Sequence, residues 1–471
     1  MLLKLCLPKS PQILAIPLLA FVEFWERFNK YAIRAFLVLY LIAPSFNNGG
    51  YGLGWAIGDA IALYSRFIAF AYITPLFGGF LSDKVLGAYH STLLGCILIF
   101  IGQLMISIPH NWLPNQESTI LCTGLFLFAL GNGFFKPNIA TLVGGVSKFY
   151  GLEPIKSYNL FFMITNLGGA VAGVALGSIV VWFNGNYQIG FFIAAIGMLF
   201  GTIILLAFKS VLNVSLLVHE NPNTNKSIKT IPNKNTSNQS LKIYEKNHMV
   251  FIIIIGFFSI FFWFGYEQMA GSINIMTERF VDRQLFGFEI PTAWFQSLTP
   301  LFNILFAPVL YAMWNKLKRT NRHLDIPNKV TISLLASTLA FVILSVATYS
   351  LNYSFANKIN FGWIIVVYFY FSIGEVLLSP TCLSAIHEYI SEKSVGLIMG
   401  LWFMFYAVAS FFAGILGHRV DPNSLIAISD HELFANLNRL FTSITFLTFI
   451  AAVGLIVSKN KIIQLLKPER V

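Results

Sequence analysis

Five ionisable residues lie close together in an apolar stretch near the start of the sequence: Glu23, Glu26, Arg27, Lys30 and Arg34. In a helix, a turn of 100° per residue places all five within an arc of about 100°. A charge at the centre of a membrane helix costs roughly 2.5–3.5 kcal/mol and normally faces a cavity. The stripe therefore predicts a wet interior where carboxylates can carry protons and cations can bind an anion. The alternative is a structural ladder of i,i+4 ion pairs, Glu23 with Arg27 and Glu26 with Lys30.

The composition is that of a membrane protein. Of the 471 residues, 56% are apolar and 11% are charged, whereas soluble domains have roughly 25% charged residues. The four cysteines are far apart and lack the spacing of a metal site, so we interpret them as small apolar residues. The chain has no phosphate-binding loop, zinc motif or nucleophile elbow, so the sequence predicts neither an enzyme nor a bound cofactor.

Twelve apolar runs are long enough to cross a hydrocarbon layer of about 30 Å, which takes roughly 20 residues. The first six lie near residues 11–43, 55–81, 89–108, 118–143, 155–183 and 187–208. The second six lie near residues 248–281, 291–316, 327–350, 361–390, 395–417 and 431–458. The stretch between them is rich in Asn, Lys, Ser and Thr, which predicts a solvated linker. We therefore expect an all-α membrane protein with a six-helix bundle at 1–208, a cytoplasmic linker at 209–247 and a second six-helix bundle at 248–471.

The basic residues predict the orientation of the chain. With both termini in the cytoplasm, 21 of the 31 lysines and arginines fall in cytoplasmic segments, and four fall outside, at Arg279, Arg283, Lys358 and Arg419. Short loops keep their basic residues on the cytoplasmic side. The formal net charge of +11 therefore records topology, and nucleic acid is not expected as a partner.

Further ionisable residues lie inside the predicted helices, at Lys136 in the fourth, Glu267 in the seventh and Glu375 in the tenth. The first and seventh helices correspond in the two halves, as do the fourth and tenth. We therefore expect Arg34 to pair with Glu267, and Lys136 with Glu375, as breakable links in an alternating-access cycle. Static pairs that seal the bundle are the alternative. Pro137 and Pro380 follow Lys136 and Glu375 at matching places, which predicts interrupted, movable helices.

Two six-helix halves with a cytoplasmic linker resemble the major facilitator superfamily. The segment from Gly79 to Gly87, GFLSDKVLG, follows the second predicted helix, where that superfamily has G-x-L-x-D-R-x-x-G. The segment from Glu23 to Tyr31, EFWERFNKY, is similar to the E-x-x-E-R-F-x-Y-Y signature of the proton-dependent oligopeptide transporters. Further matches follow in order at YITP (72–75), FKPN (135–138), FFMITNLG (161–168), WFQS (294–297) and MGLWF (399–403).

This resemblance implies a proton-coupled symporter that imports di- or tripeptides across the cell membrane, which for a bacterial chain is the inner membrane. It implies that four residues couple the proton: Glu23, Glu26, Arg27 and Glu267. Arg34 and Lys136 would receive the peptide carboxylate, while Asn166 and Glu375 would face its amino group. Other side chains at matching positions would complete the substrate site: Tyr31, Tyr72, Trp263, Trp294, Ser379 and Trp402. The alternative for each aromatic residue is ordinary packing or contact with lipid.

Three residues depart from the family pattern. Lys30 and Phe162 stand where the family has tyrosine, and Thr299 stands where it has asparagine. We expect Lys30 to pair with Glu26 and to favour its ionised form, since Glu26 lies four residues N-terminal to it. As the alternative, Lys30 adds a second cation for an anionic substrate. Two other functions therefore stay open: proton-coupled transport of another small anionic or zwitterionic solute, and a membrane receptor that does not transport.

Overall fold

Long apolar helices make up most of the chain. The computed structural model describes residues 11–45, 49–109, 112, 115–212, 238–319, 324–351, 358–390, 392–421 and 428–466. The first six helices are α1 (Pro11–Ile42), α2 (Ile57–Leu81), α3 (Gly87–Ile106), α4 (Glu117–Phe149), α5 (Pro154–Trp182) and α6 (Tyr187–Ala207). The others are α7 (Asn238–Glu267), α8 (Ser272–Phe280), α9 (Thr292–Gln296), α10 (Leu298–Arg319), α11 (Ile326–Leu351), α12 (Phe361–Tyr389), α13 (Glu392–His418) and α14 (Asp430–Gln464).

Short strands are the only departure from the predicted all-α fold in the part that the structure describes. They are β1 (Val281–Asp282), β2 (Gln284–Leu285), β3 (Phe288–Glu289) and β4 (Ile359–Asn360). The strands β2 and β3 form an antiparallel hairpin, and β1 pairs with β4 in parallel. Each strand has two residues, so these pairings tie loops together and add no layer to the fold.

Nine helical segments of the described chain are long and apolar enough to cross a membrane. The first of them, Ile57–Ile106, combines α2 and α3 through a π-helical turn at Ser82–Leu86. Gly87 ends this turn with φ of +73°, a conformation that glycine adopts without strain. The predicted loop motif thus forms a tight helical connection between two spans.

Polar side chains mark where several helices begin. The Asn186 side chain accepts hydrogen bonds from the backbone N–H groups of Gln188 and Ile189 at the start of α6. The Asn360 side chain accepts one from Gly362 at the start of α12, and the Ser429 hydroxyl accepts one from Glu432 at the start of α14. These caps satisfy N–H groups that have no partner within the helix.

The predicted seventh and eighth spans each contain a break. The seventh is divided between α7 and α8 at residues 268–271, and the eighth is divided between α9 and α10 at Ser297. The two prolines do not cause comparable breaks. α4 and α12 continue through Pro137 and Pro380, so the prediction that both helices are interrupted there is wrong. A proline removes one backbone hydrogen bond, and the other bonds of a helix of 29 or 33 residues hold it together.

Packing divides the chain into two compact units that do not follow the chain order. The first unit comprises Met1–Trp55, Phe70–Thr224 and Ile290–Leu301. The second comprises Ala56–Ala69, Asn225–Glu289 and Phe302–Val471. The beginning of α2 therefore packs with the second unit, while α9 packs with the first. The predicted linker lies mostly outside the described residues, since 213–237 are among those that the structure does not describe.

Close helix contacts hold the first unit together. A methyl group added to Gly78 of α2 would clash with the backbone carbonyl of Gly133 in α4, and one added to Gly168 of α5 would clash with Phe24 of α1. Asn29 of α1 donates hydrogen bonds to the carbonyl oxygens of Trp25 and Ala194. These contacts fix α1 between α4, α5 and α6, and thereby fix the charged stripe that α1 carries.

Candidate functional site

In the first unit, the charged stripe of α1 centres on Arg27. Its guanidinium lies 3.0 Å from the carboxylate of Glu23 and 3.4 Å from that of Glu26. Asn132 of α4 donates a hydrogen bond of 3.4 Å to the other oxygen of Glu26. Both carboxylates are at most 2% exposed. A single guanidinium thus balances two buried carboxylates, which is an arrangement that can gain and lose a proton.

Lys30 points away from Glu26. Its ammonium donates a hydrogen bond of 3.1 Å to the hydroxyl of Tyr72 in α2. The expected ion pair between Glu26 and Lys30 is therefore wrong for this structure. Arg27, the immediate neighbour of Glu26, already occupies its carboxylate, and Tyr72 offers Lys30 an acceptor on the adjacent helix. The predicted pair of Glu23 with Arg27 is formed.

A second ammonium approaches the same tyrosine. Lys136 Nζ of α4 lies 4.5 Å from the centroid of the Tyr72 ring, and Lys30 Nζ lies 5.2 Å from it. Both distances are within the reach of cation–π attraction. We call Lys30, Tyr72 and Lys136 the Tyr72 site. It combines two ammonium groups with a hydroxyl, which is a donor set suited to a carboxylate or another small anion.

Arg34 lies two turns beyond Arg27 along α1. It is 6% exposed, and its Nε donates a hydrogen bond of 3.3 Å to the side-chain oxygen of Gln296 at the end of α9. This contact stays within the first unit, since packing assigns α9 to that unit. The stripe and the Tyr72 site together contain two carboxylates and four cations, so this site has a surplus of positive charge.

The second unit carries its own buried carboxylate, Glu267, at the end of α7. Glu267 is 3% exposed and accepts hydrogen bonds from two tyrosine hydroxyls, Tyr64 at 3.2 Å and Tyr406 at 2.5 Å. The Trp263 ring packs against Tyr406 with centroids 4.5 Å apart. The Glu267 carboxylate therefore lies where α7 ends, and it accepts hydrogen bonds from tyrosines of α2 and α13.

Glu375 of α12 is held in the second unit by two donors. Tyr266 of α7 and Asn303 of α10 both donate to its Oε2 at 3.0 Å. Glu375 and Lys136 belong to different units, as do Glu267 and Arg34. Both predicted pairs therefore stay predictions.

The remaining predicted residues are distributed over both units. Tyr31 packs against Gly169 of α5, where an added methyl group would lie 2.7 Å from its ring, and Asn166 donates to the backbone oxygen of Phe162. Trp294 donates to the hydroxyl of Ser178 in α5. In the second unit, Trp402 is 5% exposed and Ser379 is half-buried.

Sequence reasoning missed the neutral partners of the charges: Tyr64, Asn132, Tyr266, Gln296, Asn303 and Tyr406. Asn132 and Asn303 are amides inside apolar helices, and that burial was a signal that could have identified them. The tyrosines give no such signal, since the chain has 18 of them. Among the described residues, no group of three or more His, Cys, Asp or Glu side chains could hold a metal ion.

Membrane-spanning helices with buried carboxylates and cations define a membrane transporter, and comparison with known proteins gives the family. The sequence profile of the POT family matches residues 89–224 and 214–427. The chain therefore belongs to the POT family, the proton-dependent oligopeptide transporters. It is a multi-pass membrane protein and a transporter rather than an enzyme.

Relatives and solved structures agree with this assignment. The chain is 27% identical to the peptide transporter YePEPT of Yersinia enterocolitica over 86% of this chain and 87% of the relative. It is also 27% identical to dipeptide and tripeptide permease A of Chromobacterium violaceum over 93% and 91% of the two chains. A crystal structure of a peptide transporter POT in complex with sulfate superposes with a TM-score of 0.78, at 24% identity, over 96% of this chain and 95% of that one.

Proposed function

We propose that this chain is a proton-coupled symporter that imports di- and tripeptides by alternating access. In this proposal it has the major facilitator fold, with twelve membrane helices in two six-helix bundles and both termini in the cytoplasm. Protons are the coupling ions and no cofactor takes part. The membrane is the cell membrane, which for a bacterial protein is the inner one.

The proposal rests on one observation: on α1, carboxylates that could bind a proton lie close to cations that could bind a substrate anion. Glu23 and Glu26 share one guanidinium, while Lys30, one turn further on, donates to the Tyr72 hydroxyl and belongs to the Tyr72 site. A proton taken up by one carboxylate frees part of the Arg27 charge, and that charge then becomes available to a bound anion. Proton uptake and substrate binding thus act on the same set of charges, which is what symport requires.

A short peptide suits this division of charge. At neutral pH it carries a carboxylate at one end and an ammonium at the other, while its side chains vary. Arg34 and Lys136 of the first unit would receive the carboxylate, and Glu375 would face the ammonium together with Asn166. A transporter that fixes only the two termini accepts many sequences.

Uptake into liposomes tests the proposal. Purified protein is reconstituted into liposomes with an alkaline interior, and radiolabelled dialanine is added outside. We expect accumulation above the external concentration, collapse of that accumulation by a protonophore, and competition by tripeptides but not by free alanine. Accumulation that ignores the protonophore would contradict proton coupling. A complete absence of peptide uptake would contradict the peptide assignment, provided that a cooperative thermal denaturation curve shows the protein to be folded.

The Tyr72 site favours a second candidate, a proton-coupled carrier of another small anionic or zwitterionic solute. Two ammonium groups on one tyrosine suit a solute with more than one negative charge. The same liposomes distinguish the candidates when dialanine is competed with small dicarboxylates and with phosphonate analogues of peptides. Stronger competition by the dicarboxylates than by neutral dipeptides would favour the second candidate.

A further inference from the structure

Arg66 is an exposed arginine inside a membrane helix. It lies nine residues after the start of α2, which is about 13 Å along the helix axis. Among the residues that the structure describes, none forms a hydrogen bond or an ion pair with its guanidinium. An arginine at this depth costs several kcal/mol unless an anion or water compensates it, so its retention calls for a counter-ion.

Arg66 borders a cleft of about 250 Å³ between α2 and α13, within the second unit. The other lining residues are Ala62, Phe411, Gly414, Ile415 and His418. A methyl group added to Gly414 would touch Ser65 of α2, so the two helices are in close contact at the floor. Pockets for drug-sized ligands have volumes of roughly 300–1,000 Å³. This cleft is smaller, and it suits a headgroup or a single chain segment.

The cleft has a charged mouth, an apolar wall and a cationic inner end. At the mouth, His418 Nε2 lies 3.3 Å from the carboxylate of Asp59. Arg66 follows Asp59 by seven residues, so it lies about 10 Å deeper on the same face of α2. Phe411 and Ile415 form the wall, and they are 47% and 45% exposed.

The cleft is separate from the buried carboxylate of the second unit. Phe411, Ile415 and His418 follow one another at i, i+4 and i+7 on one face of α13. Tyr406, which donates to Glu267, lies on a different face of that helix, at about 120° to 180° from each of them. The exposed apolar wall therefore faces the surroundings of a membrane helix, which are lipid.

The carboxylate at the mouth of the cleft is not a partner of Arg66. Asp59 contacts His418 there, and Arg66 lies about 10 Å further along α2. Asp421, near the same end of α13, accepts a hydrogen bond from the backbone N–H of Ile57, and Arg419 is exposed at the surface. A phosphodiester carries one negative charge and matches the guanidinium, while its acyl chain matches the wall of Phe411 and Ile415.

We propose that this cleft binds a phospholipid, with its phosphodiester on Arg66 and one acyl chain against Phe411 and Ile415. An arginine at this depth can extend its side chain towards the membrane interface, where lipid phosphates lie, and so withdraw its charge from the apolar layer. Charge complementarity and the adjoining apolar wall together select a lipid over a free anion. The bound lipid would stabilise the contact between the start of α2 and the end of α13.

Native mass spectrometry of the full-length transporter tests this inference, with added phosphatidylglycerol as the probe. We expect the wild type to retain one lipid and Arg66→Gln to bind it roughly tenfold to hundredfold more weakly. Arg66→Lys, which keeps the charge, should be intermediate. The matched control is Arg439→Gln, because Arg439 is also an exposed arginine within a membrane helix. Equal retention by the wild type and Arg66→Gln, or no retention by the wild type, would overturn the proposal.

Two further experiments identify the ligand and keep the proposal testable if Arg66→Gln misfolds. Phe411→Ala leaves every charge in place and shortens the apolar wall, so it should weaken lipid retention even if Arg66→Gln fails to fold. Inorganic phosphate alone should not raise the melting temperature of delipidated protein, whereas phosphatidylglycerol should raise it. A rise with phosphate equal to that with lipid would show a site for free phosphate and would overturn the lipid assignment.

Discussion

Arg27 links the two carboxylates of α1, because its guanidinium contacts both Glu23 and Glu26. If either carboxylate loses its charge, the interaction of Arg27 with the other carboxylate changes as well. Glu26 also accepts a hydrogen bond from Asn132, so this carboxylate contacts α4 as well as Arg27 of α1. In the proposed mechanism Glu26 couples the proton, and a neutral substitute should stop that coupling.

Replacing Glu26 by Gln should abolish accumulation driven by a proton gradient and preserve exchange between compartments that are equally loaded with substrate. The glutamine keeps the hydrogen-bonding shape and cannot bind or release a proton, while exchange does not require the return of an empty carrier. Both rates are measured in the same liposomes. The control is Glu153→Gln, since Glu153 is an exposed carboxylate that pairs with Lys156 at the surface. Normal accumulation by the Glu26→Gln protein would refute the role of Glu26.

Lys30 is the residue that most separates the chain from the family pattern, and its contact with Tyr72 decides between the two roles expected for it. Because its ammonium lies on Tyr72 and not on Glu26, Lys30→Tyr should leave the pH profile of transport unchanged. It should weaken the binding of anionic substrates by roughly fivefold to several hundredfold relative to neutral dipeptides, since a cation is lost from a partly wet site.

Competition assays over a range of pH measure both effects in the Lys30→Tyr protein. Lys84→Tyr is the control, because Lys84 lies in the exposed turn after α2, where its ammonium contacts the ring of Phe80. A shifted pH optimum with unchanged selectivity would instead support the hypothesis that Lys30 interacts with Glu26. No change in either property would place Lys30 outside the transport pathway.

The start of α2 depends on a side chain from another element. Asp421, just after α13, accepts a hydrogen bond of 3.0 Å from the backbone N–H of Ile57, the first residue of α2. Burial raises the pKa of the Asp421 carboxyl above its ordinary value, while the Ile57 N–H and Arg279 act in the opposite direction. With its pKa raised, Asp421 binds a proton more readily in the folded protein than in the unfolded chain.

Stability should therefore fall as the pH rises through the raised pKa of Asp421. The contribution of this carboxyl is complete below about pH 4, the ordinary value for aspartate, and is lost above the raised value. Asp421→Asn keeps an acceptor and does not titrate, so its melting temperature should rise relative to that of the wild type across this interval. Asp421→Ala should be about 1 kcal/mol less stable than Asp421→Asn at every pH, because neither residue titrates and only Asn keeps the cap.

Melting temperatures of the detergent-solubilised protein between pH 4 and 7, recorded by intrinsic fluorescence, test this prediction. Asp83→Asn is the control, since Asp83 is exposed in the turn after α2. A constant difference between the wild type and Asp421→Asn over the whole range would show that Asp421 does not titrate there.

Hydropathy predicted the helices well where a span is one continuous apolar segment. The predicted spans 11–43 and 55–81 correspond to α1 (Pro11–Ile42) and α2 (Ile57–Leu81). The pattern did not reveal the break between α7 and α8, because both helices are apolar and the break is made by buried side chains. Gln268 there donates to the backbone of Ala413 and accepts from Ser272, and such partners are known only once the chain has folded.

The start of α7 shows a second limit of the sequence pattern. Hydropathy placed this span from residue 248, whereas the helix begins at Asn238. Most of the ten additional residues are polar, and they include good helix formers such as Gln, Leu, Lys and Glu, so they extend the helix and add little apolar signal. Part of the predicted linker is therefore helical.

The candidate site was predictable in its charges and not in their partners. Ionisable residues in apolar segments are visible because they are rare there, so Glu23, Lys136 and Glu375 could be selected from the sequence alone. Their neutral donors come from other helices. The Tyr72 site requires α1, α2 and α4 to meet, and only the packing of the first unit brings Lys30 and Lys136 to one tyrosine.

At the scale of the whole molecule, packing and chain order differ. The segment Ala56–Ala69 belongs to the second unit, although it precedes most of the first unit in sequence. A duplicated six-helix chain with strictly local packing would not exchange segments in this way. Neither unit can therefore be expected to fold from its own half of the sequence, and topology has to be tested on the full chain.

The proposed topology, with twelve spans and both termini in the cytoplasm, predicts that the turn after α2 lies inside the cell and the hairpin of β2 and β3 outside. Single cysteines introduced by Lys84→Cys and Phe286→Cys test this in a background where the four native cysteines are replaced by serine. Both positions are exposed, and Phe286 lies at the tip of the hairpin.

In intact cells a membrane-impermeant maleimide should label Phe286→Cys and should not label Lys84→Cys. In permeabilised cells it should label both. Labelling of Lys84→Cys alone would mean an inverted chain, because an inverted orientation exchanges the two sides. Labelling of both in intact cells would mean that an even number of spans separates the two positions, and this would contradict the twelve-helix topology, which has five spans between them.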